Sequence, residues 1–467
     1  MKLLLFIFLY IYNPQDWFNI PQMGYVKSIS ASPFSVYITT SDGIFVFDKS
    51  KRKFDRTITQ VDGLPIDIEL GGYDMETSSL WVVSDKELVN YNPLTRHLYR
   101  TPLPLKGVTS LGIGKGFVYL TNGQEIVRID KLNYTVESAG SVSGVEWYGK
   151  LSPYNPKDFL FLMPYYYLDD YLNRYEITSL YKDQSTLWVG TDGYGVFAYD
   201  LTTKISQHYF FGPGEREVLR IFPAKDGLWF LHPSGLSYYN PVKDSWAYFN
   251  TSRYRIFKPK NILISPQVLR LLRREGVYTA AQDKSGLFIG TGYGVYLFDS
   301  NSNTLIKELE TKGEVEKIFI ERDTIFVATT YGLLIKDRKG DRWVEVRDST
   351  NKFGKGVYDI TEIKGNRFFG CLGGVVVWDT LNKWKWMTLP GGDLSKPVYS
   401  LESFKDYLFC GLEKGLWVFN ERTSHYQRFT SKEGLLSDKV NDMYAGPKSL
   451  WIATDRGISR VLYTTFH

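Results

Sequence analysis

Histidines and paired acids are the residues of this chain that could do proton-transfer or metal chemistry, and they are few. None of the five histidines stands at the spacing of a metal site. His232 falls in a predicted turn between strands, and Asp169 and Asp170 form an adjacent pair in a predicted loop. Such isolated groups are more often structural than catalytic. The sequence also has no phosphate-binding glycine loop and no nucleophile elbow, so it predicts no catalytic residue, no metal ligand, no cofactor and no enzyme.

A five-residue pattern of strand-forming residues recurs along the chain and indicates the elements that would position any site. A bulky apolar residue is followed by an aromatic, a β-branched and a small residue, and then by Thr or Ser. The clearest copies are LWVVS at Leu80–Ser84, LWVGT at Leu187–Thr191, LFIGT at Leu287–Thr291, IFVAT at Ile325–Thr329 and LWIAT at Leu450–Thr454. Ten copies, looser ones included, follow at about 40 residues, apart from two longer gaps. Four short strand-like runs per unit predict an antiparallel meander, the blade of a β-propeller.

The two ends of the repeat region predict how the blades close. The last repeat has three strand-like runs, and a spare run at Trp17–Ile20 precedes the first repeat. We expect the spare run to pair as the fourth strand of the last blade, because this removes exposed sheet edges. The predicted fold is an all-β propeller of about ten four-stranded blades over residues 16–467, with one ring preferred. The alternative is two smaller propellers in tandem, divided at residues 251–275 into two sets of five.

The repeat resembles that of a known family. The stretch LWVGTDGYGVFAYD at Leu187–Asp200 is similar to the propeller repeats of two-component regulators, the periplasmic sensor part of hybrid histidine kinases. The links EGLLSDKVNDMY at Glu433–Tyr444 and VDGLPID at Val61–Asp67 are similar to the junctions between their blades. The resemblance covers nearly the whole chain after residue 16 and implies a sensor propeller. It brings no kinase segment with it, so we expect no phosphotransfer by these residues, and propellers of surface-protein secretion machinery are a looser parallel.

Two insertions and a set of turn residues define a candidate binding face. The insertion at about 141–171 is rich in aromatic residues, and that at 251–275 holds seven basic residues and one acid, with a short helix expected at 266–275. Antiparallel strand order places the turns between second and third strands on the same face as the links between blades. Rings there can stack on sugars or clasp peptides, and basic groups attract anions; the alternative is that the rings only cover the pore mouth and the charges are solvated. The predicted ligand-binding residues are Tyr194, Tyr293, Tyr331, Arg456, Lys414, Tyr165, Tyr166, Tyr167, Arg273 and Arg274.

The N-terminus and the cysteines indicate the compartment. Residues 1–15 contain Lys2 and an apolar run, Leu3–Tyr12, which is typical of a secretory leader and too short to span a bilayer; a buried first strand is the alternative. We expect the chain to lie outside the cytoplasm, in the periplasm, at the cell surface or secreted. The two cysteines, Cys371 and Cys410, form no disulfide framework, and we expect two free thiols. The small net charge of +5 does not favour a nucleic-acid partner.

These observations favour a binding protein. The first hypothesis is an extracytoplasmic propeller of sensor or scaffold type that recognises a glycan, peptide or protein on the insert-bearing face. The second is a polysaccharide-acting lyase or hydrolase with dispersed carboxylates, and the third is a structural component of a surface or secretion assembly. A cluster of acids at the pore mouth would favour the enzyme, and an aromatic and basic rim without such a cluster would favour binding.

Overall fold

Antiparallel strands make up nearly all of the regular structure. A computed structural model describes residues 16–150, 152–159, 166–168, 173–250, 270–271, 274–283, 285–299, 302, 304–337, 340, 342–347, 349–350, 352–390 and 393–466. The predicted leader, Tyr165, Arg273 and the Asp169–Asp170 pair lie outside the described residues. Ten sheets are present in the described part, eight of four strands and two of five. The all-β propeller class and the ten predicted blades are thus confirmed.

The described chain divides into two compact units. The four-sheet unit comprises Asn19–Arg216, and the six-sheet unit comprises Glu217–His467 together with the described residues up to Phe18. The sheets of the four-sheet unit are β2 (Val26–Ala31), β3 (Ser35–Thr40), β4 (Gly43–Asp48) and β5 (Lys53–Phe54); β6 (Ile68–Asp74), β7 (Ser79–Ser84), β8 (Glu87–Tyr91) and β9 (Leu98–Pro102); β10 (Ser110–Ile113), β11 (Phe117–Thr121), β12 (Ile126–Asp130), β13 (Val136–Ser138) and β14 (Glu146–Gly149); and β15 (Tyr166–Leu168), β16 (Arg174–Asp183), β17 (Thr186–Thr191), β18 (Val196–Asp200) and β19 (Ser206–Tyr209).

The six-sheet unit follows the same meander. Its sheets are β20 (Arg220–Ala224), β21 (Gly227–His232), β22 (Gly235–Asn240) and β23 (Ser245–Asn250); β24 (Thr279–Asp283), β25 (Gly286–Thr291), β26 (Gly294–Asp299) and β27 (Thr304–Glu310); β28 (Val315–Glu321), β29 (Thr324–Thr329), β30 (Gly332–Asp337) and β31 (Val344–Val346); β32 (Val357–Ile363), β33 (Asn366–Cys371), β34 (Gly374–Trp378) and β35 (Trp384–Thr388); β36 (Ser400–Phe404), β37 (Tyr407–Leu412), β38 (Gly415–Asn420) and β39 (His425–Phe429); and β40 (Val440–Ala445), β41 (Ser449–Thr454) and β42 (Gly457–Leu462) with β1 (Trp17–Pro21). The predicted pairing of the N-terminal strand with the last blade is therefore confirmed.

Short helical turns occupy some of the links between strands. They are 3-10 helices at Gln60–Asp62, Pro156–Asp158, Phe353–Lys355, Ser431–Glu433 and Tyr463–Phe466. In the second insertion, the described residues Arg270, Leu271, Arg274 and Glu275 are α-helical, as expected for part of the predicted helix. The rest of that insertion lies outside the described residues.

The preference for a single ring is wrong, because each unit closes on itself. In the four-sheet unit β2 contacts both β6 and β16, and in the six-sheet unit β40 contacts both β36 and β20. The two-propeller alternative describes the molecule, but its proposed division at residues 251–275 into two sets of five is also wrong. The division falls at residues 216 and 217, with four sheets before it and six after it. The repeat pattern shows which blades are consecutive, and it contains no information on which distant blades meet.

A small residue in the second strand accepts a valine from the neighbouring sheet, and this contact explains the closure. A Cβ added to Gly290 would lie 2.6 Å from Val315 of the next sheet, and one added to Gly411 would lie 2.6 Å from Val440. Gly190 receives Val26 in the same way, at 2.5 Å. The last sheet of the four-sheet unit therefore packs against the first. Protein interiors are closely packed, so a residue larger than glycine would not fit at these contacts.

The first insertion supplies extra strands on the inner edges of the four-sheet unit. Strand β14 pairs with β10, and β15 pairs with the start of β16. The ring of Tyr148 in β14 is buried and lies so close to Gly72 that an added Cβ would approach it to 2.5 Å. Tyr148 therefore fills the space beside Gly72, and its strand also lines a cavity of about 210 Å³ with β16.

Candidate functional site

The first strands of the six-sheet unit carry a polar belt at its centre. A valine lies at the start of each of these strands or two positions before it, and the second residue after this valine is polar in all six repeats. A β-bulge precedes this position in β28, β32 and β40, and a bulge re-aims the side chains that follow it. The belt consists of Arg220, Thr279, Lys317, Asp359, Ser400 and Asp442.

Each belt residue contacts the next sheet, and the contacts run round the unit without a gap. The innermost strand of a blade has an unpaired edge, so its N–H and C=O groups need partners. In order, the contacts are Arg220 Nε to Tyr278 O at 3.1 Å, Ile318 N to Thr279 Oγ1 at 3.3 Å, Lys317 Nζ to Asp359 Oδ1 at 2.9 Å, Leu401 N to Asp359 Oδ2 at 2.7 Å, Met443 N to Ser400 Oγ at 3.1 Å, and Ile221 N to Asp442 Oδ2 at 2.7 Å. The belt therefore gives partners to some backbone groups of the inner edges and joins the six sheets.

A cavity of about 220 Å³ lies inside this belt. Four half-buried tyrosines share its wall with the charged belt residues and with two glutamates that are outside the belt. Tyr358 is next to Glu316 and Tyr399, and Tyr444 is next to Glu402. The lining side chains that can contact a ligand are Tyr278, Tyr358, Tyr399, Tyr444, Glu316 and Glu402. Aromatic rings beside carboxylates can hold an apolar surface and a polar or cationic group at once.

The charges of the cavity are only partly compensated within it. Two cations face four carboxylates: Arg220 pairs with Glu316 at 2.9 Å, and Lys317 pairs with Asp359 at 2.9 Å. Burial alone would lower the pKa of Lys317, but the neighbouring carboxylates, Asp359 first, raise it above its usual value, so this lysine stays charged. The remaining carboxyl groups, Glu402 and Asp442, give the cavity a negative excess when they are ionised.

Burial shifts the pKa values of the uncompensated acids. It raises the pKa of Glu402 to about 8, with Lys317 opposing the shift and Asp359 and Asp442 adding to it. Burial likewise raises the pKa of Asp442, and Arg220 and Lys317 oppose that shift. Glu402 is therefore a proton-binding group near neutral pH, and an incoming positive charge would favour its ionised form.

The cavity inside the belt is called the channel from here on. The structure places the predicted turn residues of the six-sheet unit at the end of the channel where the first strands begin. Tyr293 and Tyr331 are 63% and 64% exposed, and the backbone at residue 330 donates to Glu314, which directly precedes β28. The side-chain ammonium of Lys414 lies 3.8 Å from Asp393, and Arg456 follows the end of β41. Turns and inter-sheet links thus share one side of this unit, as strand parity predicted. Ligand binding by these residues stays a prediction.

Arg274 is described at the same end and is bound to its neighbour. Its guanidinium lies 2.5 Å from Glu275, and Tyr296 donates to the same carboxylate at 2.8 Å. Thr291 at the end of β25 also donates to Glu275, at 3.1 Å. Glu275 therefore anchors the end of the helical segment to the sheet, and Arg274 remains 74% exposed beside it.

The other predicted residues belong to the four-sheet unit, where they form a stack of rings. Tyr194 stacks on Tyr167 with ring centroids 5.2 Å apart, on Tyr175 at 4.7 Å and on His208 at 4.4 Å. Tyr166 carries the guanidinium of Arg174 over its ring at 4.2 Å. The structure therefore brings Tyr194, Tyr166 and Tyr167 together in one unit and the remaining described candidates together in the other.

His232 has a structural role. Its side chain is only 3% exposed, its Nε2 lies 2.7 Å from Ser237 Oγ, and its Nδ1 lies 3.2 Å from the carbonyl of Glu217. Burial lowers the pKa of His232 to about 4, so the ring is neutral at physiological pH. Both cysteines, Cys371 and Cys410, are free thiols in the core, as expected.

The sequence-based search missed the channel acids, although a signal for them exists. Searching for pairs and short motifs does not find groups that lie one per repeat, about 40 residues apart. Aligning the repeats on the valine at or just before the start of each first strand would have shown a polar residue two positions later in every repeat of this unit. No group of three or more acidic, histidine or cysteine side chains in the described part of the chain is arranged to hold a metal ion. Within the same residues, no helix has the length and apolar character needed to cross a membrane.

Comparison with known proteins establishes the fold. No protein-family model matches the chain, and no curated protein matches its sequence. Among solved structures it is similar to PorZ, described as an essential bacterial surface component of the type IX secretion system of Porphyromonas gingivalis, at 11% sequence identity over 96% of this chain and 87% of that one, with a TM-score of 0.56. It is also similar to the extracellular domain of BT4673 of B. thetaiotaomicron, which has been assigned to a hybrid two-component system, at 13% identity over 94% of this chain and 70% of that one, with a TM-score of 0.39. At these identities the likeness to PorZ shows a shared β-propeller architecture.

Proposed function

We propose that this chain is an extracytoplasmic binding propeller of sensor or scaffold type, and that the six-sheet unit captures a glycan, peptide or protein ligand in its channel. The observation that carries the proposal is the cavity inside the belt, which presents four tyrosines and charges of both signs. Small-ligand sites are concave and combine aromatic walls with a few polar groups. Tyr293 and Tyr331 are exposed at the end of the channel where the first strands begin, and they extend this site to the surface. The leader-like N-terminus and the likeness in fold to a bacterial surface component support the compartment.

The test is a ligand screen by thermal shift on the full chain. The ligands are neutral and anionic oligosaccharides and short peptides, and the variants are Tyr399→Ala in the channel and Tyr293→Ala/Tyr331→Ala at its mouth. Phe34→Ala, which removes an aromatic ring that is 80% exposed in the four-sheet unit, is the matched control. We expect a ligand that raises the melting temperature of the parent and of the control but not of Tyr399→Ala. Equal shifts in all four proteins would contradict a site in the channel.

A polysaccharide-acting enzyme is the second candidate, because the channel does contain a cluster of acids. Glycoside hydrolysis needs two carboxyl groups that are free to act on the scissile bond. Asp359 and Asp442 accept backbone N–H groups of the next sheet, and Glu316 is paired with Arg220, so these three acids have structural partners. Binding is therefore the preferred function. Cleavage of an oligosaccharide by the parent that is lost in Glu402→Gln would reverse that preference.

A further inference from the structure

The channel of the six-sheet unit has the features of a receptor for a positively charged group. Three of its tyrosines, Tyr278, Tyr358 and Tyr399, each follow directly after the valine at or just before the start of a first strand. Glu402 stands three positions further along its strand than Tyr399, which corresponds to roughly 10 Å of extended chain. The channel thus has an aromatic entrance and a carboxylate at greater depth.

We infer that this channel binds an ammonium group at the end of a flexible aliphatic chain, with the chain lying between the tyrosines and the ammonium at Glu402. This inference rests on the proposed function. The faces of tyrosine rings attract cations and also pack against methylene groups. An ammonium group on an aliphatic chain occurs both in a lysine side chain of a polypeptide and in a free diamine. The experiment below distinguishes these two sources.

The charges around the channel favour a cation over an anion. The two cations in the wall are already engaged, Arg220 with Glu316 and Lys317 with Asp359. An anionic ligand would have to displace one of these carboxylates and would also be repelled by Glu402 and Asp442 in their ionised forms. A cationic ligand meets a negative excess, and attraction is stronger inside a cavity than in water because the effective dielectric constant is lower. An uncharged ligand could donate hydrogen bonds to either carboxylate but would gain no charge–charge attraction.

Binding should be linked to proton release. The groups that act on Glu402 are Lys317, Asp359, Asp442, Tyr444 and Tyr463. Because burial raises the pKa of Glu402 to about 8, most of this carboxyl is protonated at neutral pH in the free protein. An ammonium group stabilises the ionised form and expels the proton. Affinity should therefore rise between pH 6.5 and pH 8.5 and level off above that range.

The experiment is isothermal titration calorimetry with the full chain and three probes. They are acetyl-Gly-Gly-Lys-Gly-Gly-amide, the same peptide with norleucine in place of lysine, and cadaverine. We expect the lysine peptide to bind at least tenfold more tightly than the norleucine peptide, with an apparent enthalpy that depends on the ionisation enthalpy of the buffer. Binding of the peptide alone would assign the ligand to a polypeptide, and equal binding of cadaverine would assign it to a free amine.

Glu402→Gln should reduce the affinity for the lysine peptide to that for the norleucine peptide and remove the pH dependence. Glu345→Gln, which changes an exposed glutamate of β31, is the matched control and should change neither. Should Glu402→Gln fail to fold, the buffer dependence of the parent decides the question alone, since binding without proton release contradicts the inference. Equal affinity for the lysine and norleucine peptides, or no binding of either amine probe, would overturn the inference. Loss of ligand binding in Tyr399→Ala would in that case still support the proposed function.

Discussion

The two units are built from the same repeat, but their centres differ in kind. In the four-sheet unit the insertion strand β14 lies against β10, and Tyr148 fills the space over Gly72. In the six-sheet unit the first strands surround a cavity of about 220 Å³, and the charged belt lines it. A cavity of about 210 Å³ also lies in the four-sheet unit, and its lining comes largely from β14 and β16, with rings such as Trp147 and Tyr181. The two cavities therefore differ less in volume than in the charged residues that line them.

The polar contacts between neighbouring first strands also differ between the two units, because the six-sheet unit uses more charged side chains. In the four-sheet unit the hydroxyl of Ser28 donates to Gly71 O at 2.7 Å and accepts from Gly71 N at 2.8 Å. Ser28 occupies the position that carries Asp359 and Asp442 in the six-sheet unit. Two of the six positions in the six-sheet unit also carry a small hydroxyl group, and the other four carry longer charged groups. Breaking either kind of contact tests this comparison.

The largest expected effect follows from removing a charged member of the belt. Asp359→Ala leaves Lys317 without its ion pair and the backbone N–H of Leu401 without an acceptor. Leaving one partner of a buried ion pair uncompensated costs about 3–5 kcal/mol. Urea denaturation should show this loss in the free energy of unfolding. A loss below about 1 kcal/mol would mean that the belt does not hold the sheets together.

The closure of the four-sheet unit can be tested with a steric pair. Gly190→Ala places a methyl group 2.5 Å from Val26, and such overpacking costs about 1–3 kcal/mol. Val26→Ala should relieve part of that cost, so the two substitutions should be non-additive in a double-mutant cycle. Val218→Ala is the control, because Val218 would be the neighbour of Gly190 in a single ring of ten blades. Coupling of Gly190→Ala to Val218→Ala in place of Val26→Ala would refute the closure described here.

The stability of the six-sheet unit should depend on pH through Glu402. The folded pKa of about 8 lies above the ordinary value, so the unfolded state loses its proton first as the pH rises. Stability is therefore greatest below the unfolded pKa and falls as the pH rises toward 8, by at most about 1.4 kcal/mol per pH unit. Glu402→Gln should flatten this slope when unfolding is measured from pH 5 to pH 8.5. An unchanged slope would assign the dependence to other groups.

The smallest effect is expected at the channel mouth. Tyr331 is 64% exposed, so Tyr331→Ala should change the free energy of unfolding by less than about 0.5 kcal/mol. A near-zero cost is what distinguishes a surface available to a ligand from a core position. A loss above about 1 kcal/mol in urea denaturation would show that the ring stabilises the turn and is not held for a ligand.

Local patterns predicted the fold well because each blade is a local structure. The motif around Trp81 and its equivalents marks the second strands, and the run at Trp17–Ile20 was expected to complete the last sheet. Local patterns could not predict the partition into two units, because it depends on contacts between distant residues. Val26 and Gly190 are in contact although most of the sequence of the four-sheet unit separates them. Nothing in the neighbourhood of either residue indicates its partner.

The candidate site was predicted only at its rim. Tyr293 and Tyr331 stand in turns, where strand parity fixes the side of the sheet. Glu316 and Glu402 lie within different strands. They line the same cavity only because six first strands are arranged around one centre. A site assembled from separate repeats has no linear motif, so only an alignment of the repeats could have indicated the belt, and Glu316 and Glu402 lie outside its aligned position.

The pairing of β1 with the last sheet has a consequence for the order of folding. Thr464 donates to the carboxylate of Asp16 at 3.1 Å, so this sheet joins residues 448 positions apart. At ordinary rates of synthesis, β1 emerges from the ribosome roughly 20–90 s before its partner strand is made. The contacts that close the four-sheet unit lie within residues 19–216 and can form during that interval. The six-sheet unit must instead wait for the final strands, so its open sheet edges are the part of the nascent chain that most needs protection from aggregation.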